Sequence, residues 1–167
     1  VLRALGQLLR ERGRGAWAFP FRILIGTSAG AMNAAYLAGA ASAGIEAFDQ
    51  LAQFWLGLRS QSVYQMDAVP WARLSRLLAA ARLFKRARQR GAVLNTMPLV
   101  DTLHRQISLP GIEQALCDGA IEALAVTASS YTTGVHWTFC HTGADSQHRS
   151  WREAGRCGEF QPVTIDH

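Results

Sequence analysis

Hydrophobic positions recur at helical intervals through the first dozen residues. Val1, Leu2, Leu5, Leu8 and Leu9 share one face, with Arg3, Arg10 and Glu11 off it. That pattern predicts an amphipathic helix over 1–12, ended by Gly13-Arg14-Gly15. Phe21 to Ile25 is a short aromatic and β-branched run and reads as a buried strand. Ala29 to Ala41 is alanine-rich and helical in propensity. Gly44 breaks it, and Ile45 to Leu58 sets Phe48, Leu51, Phe54, Trp55 and Leu58 at helical spacing. Pro70 suits a helix start, so a helix is expected over Trp71 to Arg88, with Gly91 beyond its end. Trp55 and Trp71 are read as core residues. Further helices are expected over Met97 to Ile107 and Ile112 to Cys117. Ala123 to Ser129 is an apolar strand, and Val135 to Cys140 is its hairpin partner across Tyr131-Thr132-Thr133-Gly134. Past His141 the chain is polar and shows no periodicity. Strands separated by helices predict a layered α/β fold, with no internal repeat or low-complexity block.

Composition sharpens this reading in a few places. Hydrophobic residues make up 49% of the 167 positions and charged residues 17%, the latter below the roughly 25% of an average globular protein. The chain therefore folds and has apolar surface to spare. Its formal charge is +5, carried almost wholly by arginine, with Lys85 the only lysine. A mild basic excess suits an anionic membrane and a nucleic acid equally. The three cysteines, Cys117, Cys140 and Cys157, form no C-x-x-C pair and argue against a disulfide framework or a zinc knuckle. No residue from Ile23 to Ile45 is charged. Beyond Ile23-Leu24-Ile25, however, that stretch is mostly Ala, Gly, Ser, Thr and Asn, which contribute little transfer energy. A strand followed by a buried helix is expected there in place of a membrane span. Val1 to Leu5 already reads as mid-helix, so the chain is expected to be part of a longer protein.

One motif carries chemistry. Gly26-Thr27-Ser28-Ala29-Gly30 matches the G-x-S-x-G nucleophile elbow, with a strand running into it and a helix-prone segment leaving it. A serine on such a turn is strained. Side chains two residues before and two after it would collide where strand and helix approach, so glycine is expected at both. The turn lifts the hydroxyl clear of the sheet and aims a helix N-terminus at a developing oxyanion.

The longer run Ile25-Gly26-Thr27-Ser28-Ala29-Gly30-Ala31-Met32-Asn33-Ala34 resembles the nucleophile segment of the patatin-like phospholipases, whose signature is G-T-S-A-G-A-x-N-A. Val1 to Leu5 resembles the helix after that family's glycine-rich oxyanion loop. Ala125-Val126-Thr127-Ala128 and Thr132-Thr133-Gly134 resemble its downstream strand and turn. The resemblance implies a three-layer α/β/α domain with a central, mostly parallel sheet. It implies a Ser–Asp dyad, with Ser28 the nucleophile, lipid esters as substrates and no cofactor or metal. It also implies that the G-G-G-x-[KR]-G loop lies before Val1 and the D-G-[GA] aspartate beyond His167, with Thr164 to His167 starting the intervening helix. The one D-G-A present, Asp118-Gly119-Ala120, precedes the strand that the dyad motif should follow. Asp118 is therefore read as a helix cap with Gly119 behind it, and not as the base.

His104, His136, His141, His148 and His167 are scattered. Asp145 or Asp118 with His148 satisfies only the chain order of a Ser–His–Asp hydrolase, the first rival reading. Cys140, His141 and Asp145 lack ordinary metal spacing. The dense basic run 82–90, with Lys85, Arg86 and Arg88, ends an amphipathic helix and suits either a solvated face or contact with anionic lipid. No binding motif supports nucleic acid. A second rival is an inactive patatin-like module that binds lipid or a protein. With no transmembrane span expected, the location is expected to be cytoplasmic or peripheral to a membrane.

Overall fold

The structure, a computed structural model, describes residues 1–12, 18–58, 97–130, 132–143 and 148–165. Two compact units are present: Val1–Gly57 with Leu103–His167, and Leu58–Thr102. Most of the second lies outside the described residues, including Trp71 and the basic run with Lys85, Arg86 and Arg88.

The elements follow the hydrophobic pattern closely. Helix α1 (Leu2–Arg12) leads to strand β1 (Ile23–Thr27), helix α2 (Ala29–Gly39), a 3-10 stretch (Ala41–Glu46) and helix α3 (Ala47–Gly57). Helix α4 (Met97–Gln106), helix α5 (Leu109–Cys117) and strand β2 (Ala123–Ser129) come next. Strands β3 (His136–Thr142), β4 (Trp151–Glu153) and β5 (Arg156–Phe160) complete the sheet, ordered β1-β2-β3-β5-β4. The expected α/β class is what the chain adopts. β1 pairs parallel to β2, and β3 parallel to β5. The β2–β3 and β4–β5 pairs are antiparallel, the first being the predicted hairpin.

Strands β4 and β5 were not expected. They form a hairpin through Ala154-Gly155, and Gly155 takes a φ of 74° that a side chain would strain. Gly158 lies under the Trp151 ring, which occupies the space a Cβ would need. This breaks the alternation that would have marked β5.

The core is built on small residues and close approach. Ala34, Ala35, Leu37 and Ala38 of α2 are buried. At the α2–α5 crossing, a Cβ on Gly39 would meet the Ser108 carbonyl at 2.8 Å, and one on Gly111 would strike the Gly39 carbonyl. Ser108 caps α5 by accepting from the Gly111 N–H at 3.0 Å. Phe48, Leu51, Ile112, Ile121 and Leu124 are fully enclosed. α1 docks on α3 through Gly6, where a Cβ would come within 2.9 Å of Phe48.

Three burial expectations are corrected. Val1, which lies before α1, and Leu8 are exposed; α1 presents Gly6 to Phe48, which turns Leu8 outward. Strand β1 is buried on one face only: Leu24 and Gly26 point inward, while Ile23 and Ile25 are 56% and 72% exposed. No described element covers those two isoleucines, so alternation replaces full burial. Trp55 is 39% exposed. Its indole N–H donates to Asn33 Oδ1 at 2.6 Å, which holds the ring at the surface. The uncharged stretch 23–45 is a strand, a helix and a 3-10 stretch, and no helix among the described residues is long and apolar enough to cross a membrane.

Candidate active site

Ser28 stands between the carboxyl end of β1 and the first turn of α2. Its backbone is at φ 55°, ψ −126°, and it is the only non-glycine with positive φ among the described residues. This conformation lies outside the ordinary left-handed well and costs a residue with a Cβ about 1–3 kcal/mol. Neighbouring contacts hold it there. The Ser28 carbonyl accepts from Ala31 N–H at 2.8 Å and Met32 N–H at 3.4 Å, closing the first turn of α2. Ser28 N–H reaches toward the Thr127 carbonyl of β2 at 3.5 Å. Ala29 and Gly30 begin the helix, where N–H groups have no acceptor within the helix. Those groups and the helix dipole favour negative charge beside the serine.

Only one of the motif glycines is needed for steric reasons. A Cβ on Gly26 would strike the Gly30 carbonyl and lie 2.6 Å from Ala31 N, so strand and helix could not meet with a side chain there. The expectation fails for Gly30: no described atom lies within 4 Å of its Cβ position. Gly30 is the surface that Gly26 leaves room for, and nothing among the described residues fills the place of its own missing side chain.

Ser28 borders a cavity of about 390 Å³, mostly apolar in lining, whose walls include Met32, Leu103, Val126, Ser129 and Val163. Thr127 and Ser129 supply polar groups from β2. Thr127 shares a hydroxyl hydrogen bond of 3.0 Å with Thr138, and Ser129 Oγ lies 2.8 Å from His136 Nδ1.

Asp118 sits elsewhere. It caps α5 and accepts from Gln114 Nε2 at 2.7 Å, and Gly119 behind it takes φ 68°. Arg22, just before β1, donates through Nη1 to the Gly119 carbonyl at 3.2 Å and pairs through Nε with Glu122 at 2.7 Å. The D-G-A turn therefore lies at the amino end of the β1–β2 pair and Ser28 at its carboxyl end. Five strand residues at about 3.3 Å each put roughly 17 Å between them.

The described histidines are occupied or remote. His141 engages Glu113 and the backbone of Val163, and His148 stacks on Phe160 with ring centres 4.8 Å apart. His104 is exposed on α4. Among the described residues no histidine hydrogen-bonds Ser28. Asp145 and His167 lie outside the described residues. Thr164 and Ile165, expected to start a helix, are irregular. They join Val163 in the cavity wall, a role that no local sequence signal marks because the contact is made across the fold.

A parallel strand pair, a strained serine turn and a helix above an apolar cavity define an α/β protein with elbow geometry. The model of the family described as patatin-like phospholipase matches residues 1–157, and the chain belongs to that family. No curated protein and no solved structure matches it. Lipid acyl hydrolysis is the general activity that this membership implies.

Proposed function

We propose that this chain supplies the nucleophile of a serine lipid acyl hydrolase working through a Ser–Asp dyad. The observation that carries the reading is the backbone of Ser28, a serine kept at φ 55° where glycine would be relaxed, beside a cavity apolar enough for an acyl chain. Ser28 Oγ attacks the ester carbonyl, and its proton passes to the carboxylate base. The Oγ–C bond forms, and the tetrahedral oxyanion is met by N–H groups at the start of α2 and by the oxyanion loop expected upstream. Collapse expels the alcohol, which takes the proton. Water then hydrolyses the acyl-serine by the same route in reverse. The base is the aspartate of a D-G-[GA] motif downstream, since Asp118 lies at the wrong end of the strands. No histidine or metal is required. A fluorophosphonate probe applied to the full-length protein should label Ser28, and labelling at another serine would overturn the assignment.

Lys85, Arg86 and Arg88 are proposed to seat the protein on anionic lipid. Changing all three to Gln should weaken binding to anionic vesicles, and added salt should do the same, because exposed charges are screened beyond about 10 Å at 0.1 M. Vesicle binding indifferent to both would return the run to a solvated helix face.

A further inference from the structure

His141 is the one buried polar or charged residue among the described residues, 6% exposed. The reaction above gives it no part. It lies on β3 opposite Leu124 of β2, and both ring nitrogens are engaged. Nε2 is 3.1 Å from Glu113 Oε1 on α5, and Nδ1 is 3.4 Å from the backbone nitrogen of Val163. A backbone N–H can only donate, so Nδ1 presents its lone pair. The ring proton then sits on Nε2 and points at the carboxylate. The ring thus works in one direction, as acceptor toward the chain after β5 and donor toward α5.

What it holds is the cavity wall. After β5, Gln161 N–H donates to the Cys140 carbonyl at 3.0 Å. Beyond that bond the backbone forms no helix or strand as far as Ile165. Yet Val163, Thr164 and Ile165 all line the cavity that Ser28 borders, and Val163 is buried there. An irregular segment with this task needs an anchor, and His141 Nδ1 reaches its backbone from the core.

We infer that His141 is a positioning residue that pins Val163 and thereby sets the length of acyl chain the cavity accepts. The inference rests on the reading of Ser28 as the acyl-transfer nucleophile. His141 pairs with Leu124, three residues along β2 from the Thr127 that faces Thr27. The wall it pins therefore lies roughly 10 Å along the strand from the serine's end. Held there, it stays closed around the distal part of a long chain. Released, it withdraws contact from the distal methylenes and leaves the reacting ester untouched. His141 therefore acts on KM for long substrates and not on the chemical step.

Two near-isosteric variants separate its two bonds. His141→Asn places an amide oxygen at the Nδ1 position, keeping the acceptor for Val163 and giving up Glu113. His141→Gln places an amide nitrogen near the Nε2 position, keeping Glu113 and giving up Val163. In the full-length protein, kcat and KM are measured on nitrophenyl butyrate and nitrophenyl laurate, and amide exchange is followed over 161–165. His141→Gln should speed Val163 exchange and raise KM for laurate by up to about tenfold, the worth of one hydrogen bond. Its kcat and its butyrate KM should stay within about twofold of the parent. His141→Asn should resemble the parent in both readouts. Equal effects from the two variants, or a larger one from His141→Asn, would show that Glu113 and core support are all that matter. Faster exchange with unchanged laurate KM would likewise overturn the proposal. Should both variants fail to fold, Glu113→Ala decides: it leaves the Val163 bond in place and should keep the laurate KM, and a rise would sink the idea. A parent that hydrolyses neither ester overturns the acyl-hydrolase reading, and the exchange measurements then judge the pinning of Val163 by themselves.

Discussion

Ser28 and Gly44 hold nearly the same backbone. Gly44, at the kink before α3, has φ 61° and ψ −133°; Ser28 has φ 55° and ψ −126°. At Gly44 the requirement is architectural. The chain must kink in a buried corner inside the 3-10 stretch that precedes α3, and glycine meets that need with no Cβ to strain. At Ser28 the same turn carries a hydroxyl, on the surface and beside a cavity. A fold that uses glycine for this conformation in one place and keeps serine in the other accepts the strain for the sake of the side chain. The site is thus marked by a departure from the cheaper solution that the same chain uses sixteen positions later.

Ser28→Ala in the full-length protein should lower nitrophenyl ester turnover by several orders of magnitude, since no acyl-enzyme can form. Turnover close to the parent would reduce Ser28 to a structural oddity. The next largest effect is on stability. Gly26→Ala should cost about 3 kcal/mol, because its Cβ meets backbone that cannot move aside, whereas Gly30→Ala should stay within about 1 kcal/mol. Urea midpoints of the two variants measure this, and equal losses would mean that the open space beside Gly30 is filled.

A subtler pair compares the two dihedral twins directly. Ser28→Gly should raise stability by about 1 kcal/mol, the relieved strain less the added freedom of the unfolded chain, while abolishing activity. Gly44→Ala should lower stability by about 1–3 kcal/mol and leave activity per folded molecule intact. Thermal melts with active-site titration would show whether the signs are opposite. The smallest effect belongs to the other turn of the β1–β2 pair. Asp118→Asn keeps an oxygen for Gln114 and should alter turnover by less than about twofold. A thousandfold loss there would make Asp118 the base despite its distance.

Much of the site was legible because it is local. Residues 23–39 encode a strand, a turn and a helix in unbroken order, and the serine is flanked by the residue types such a turn needs. The cap role of Asp118 was readable for the same reason, since Gly119 follows the end of an apolar helical run. Strands β4 and β5 were hidden. All three residues of β4 are exposed, and Cys157 and Gly158 of β5 are buried in succession, so neither shows a two-residue period. The far cavity wall was hidden by distance: Val163 meets His141 across 22 residues, and nothing near either residue announces the other. Gly30 was misjudged in the opposite direction, because the motif suggests symmetry about the serine and the packing is one-sided.

The register of the first two strands carries a consequence for how the molecule assembles. Ile23 pairs with Ala123, so a hundred residues of chain separate partners that must meet before the serine's strand has a neighbour. The β2–β3 hairpin closes over a short turn and can form as soon as it emerges. Joining β1 to it requires closing one of the longest loops in the chain, at an entropic cost that slows the step. The elbow should therefore be completed late, after the β2–β3 hairpin that it joins. Lesions in the hairpin should slow folding, while lesions at the elbow should mainly hasten unfolding. Pulse-labelled amide exchange would read the order directly, with protection of Leu124 to Ala128 against β3 preceding that of Leu24 to Thr27. A ribosome making this chain would release the serine's own segment long before that segment could take its strained shape.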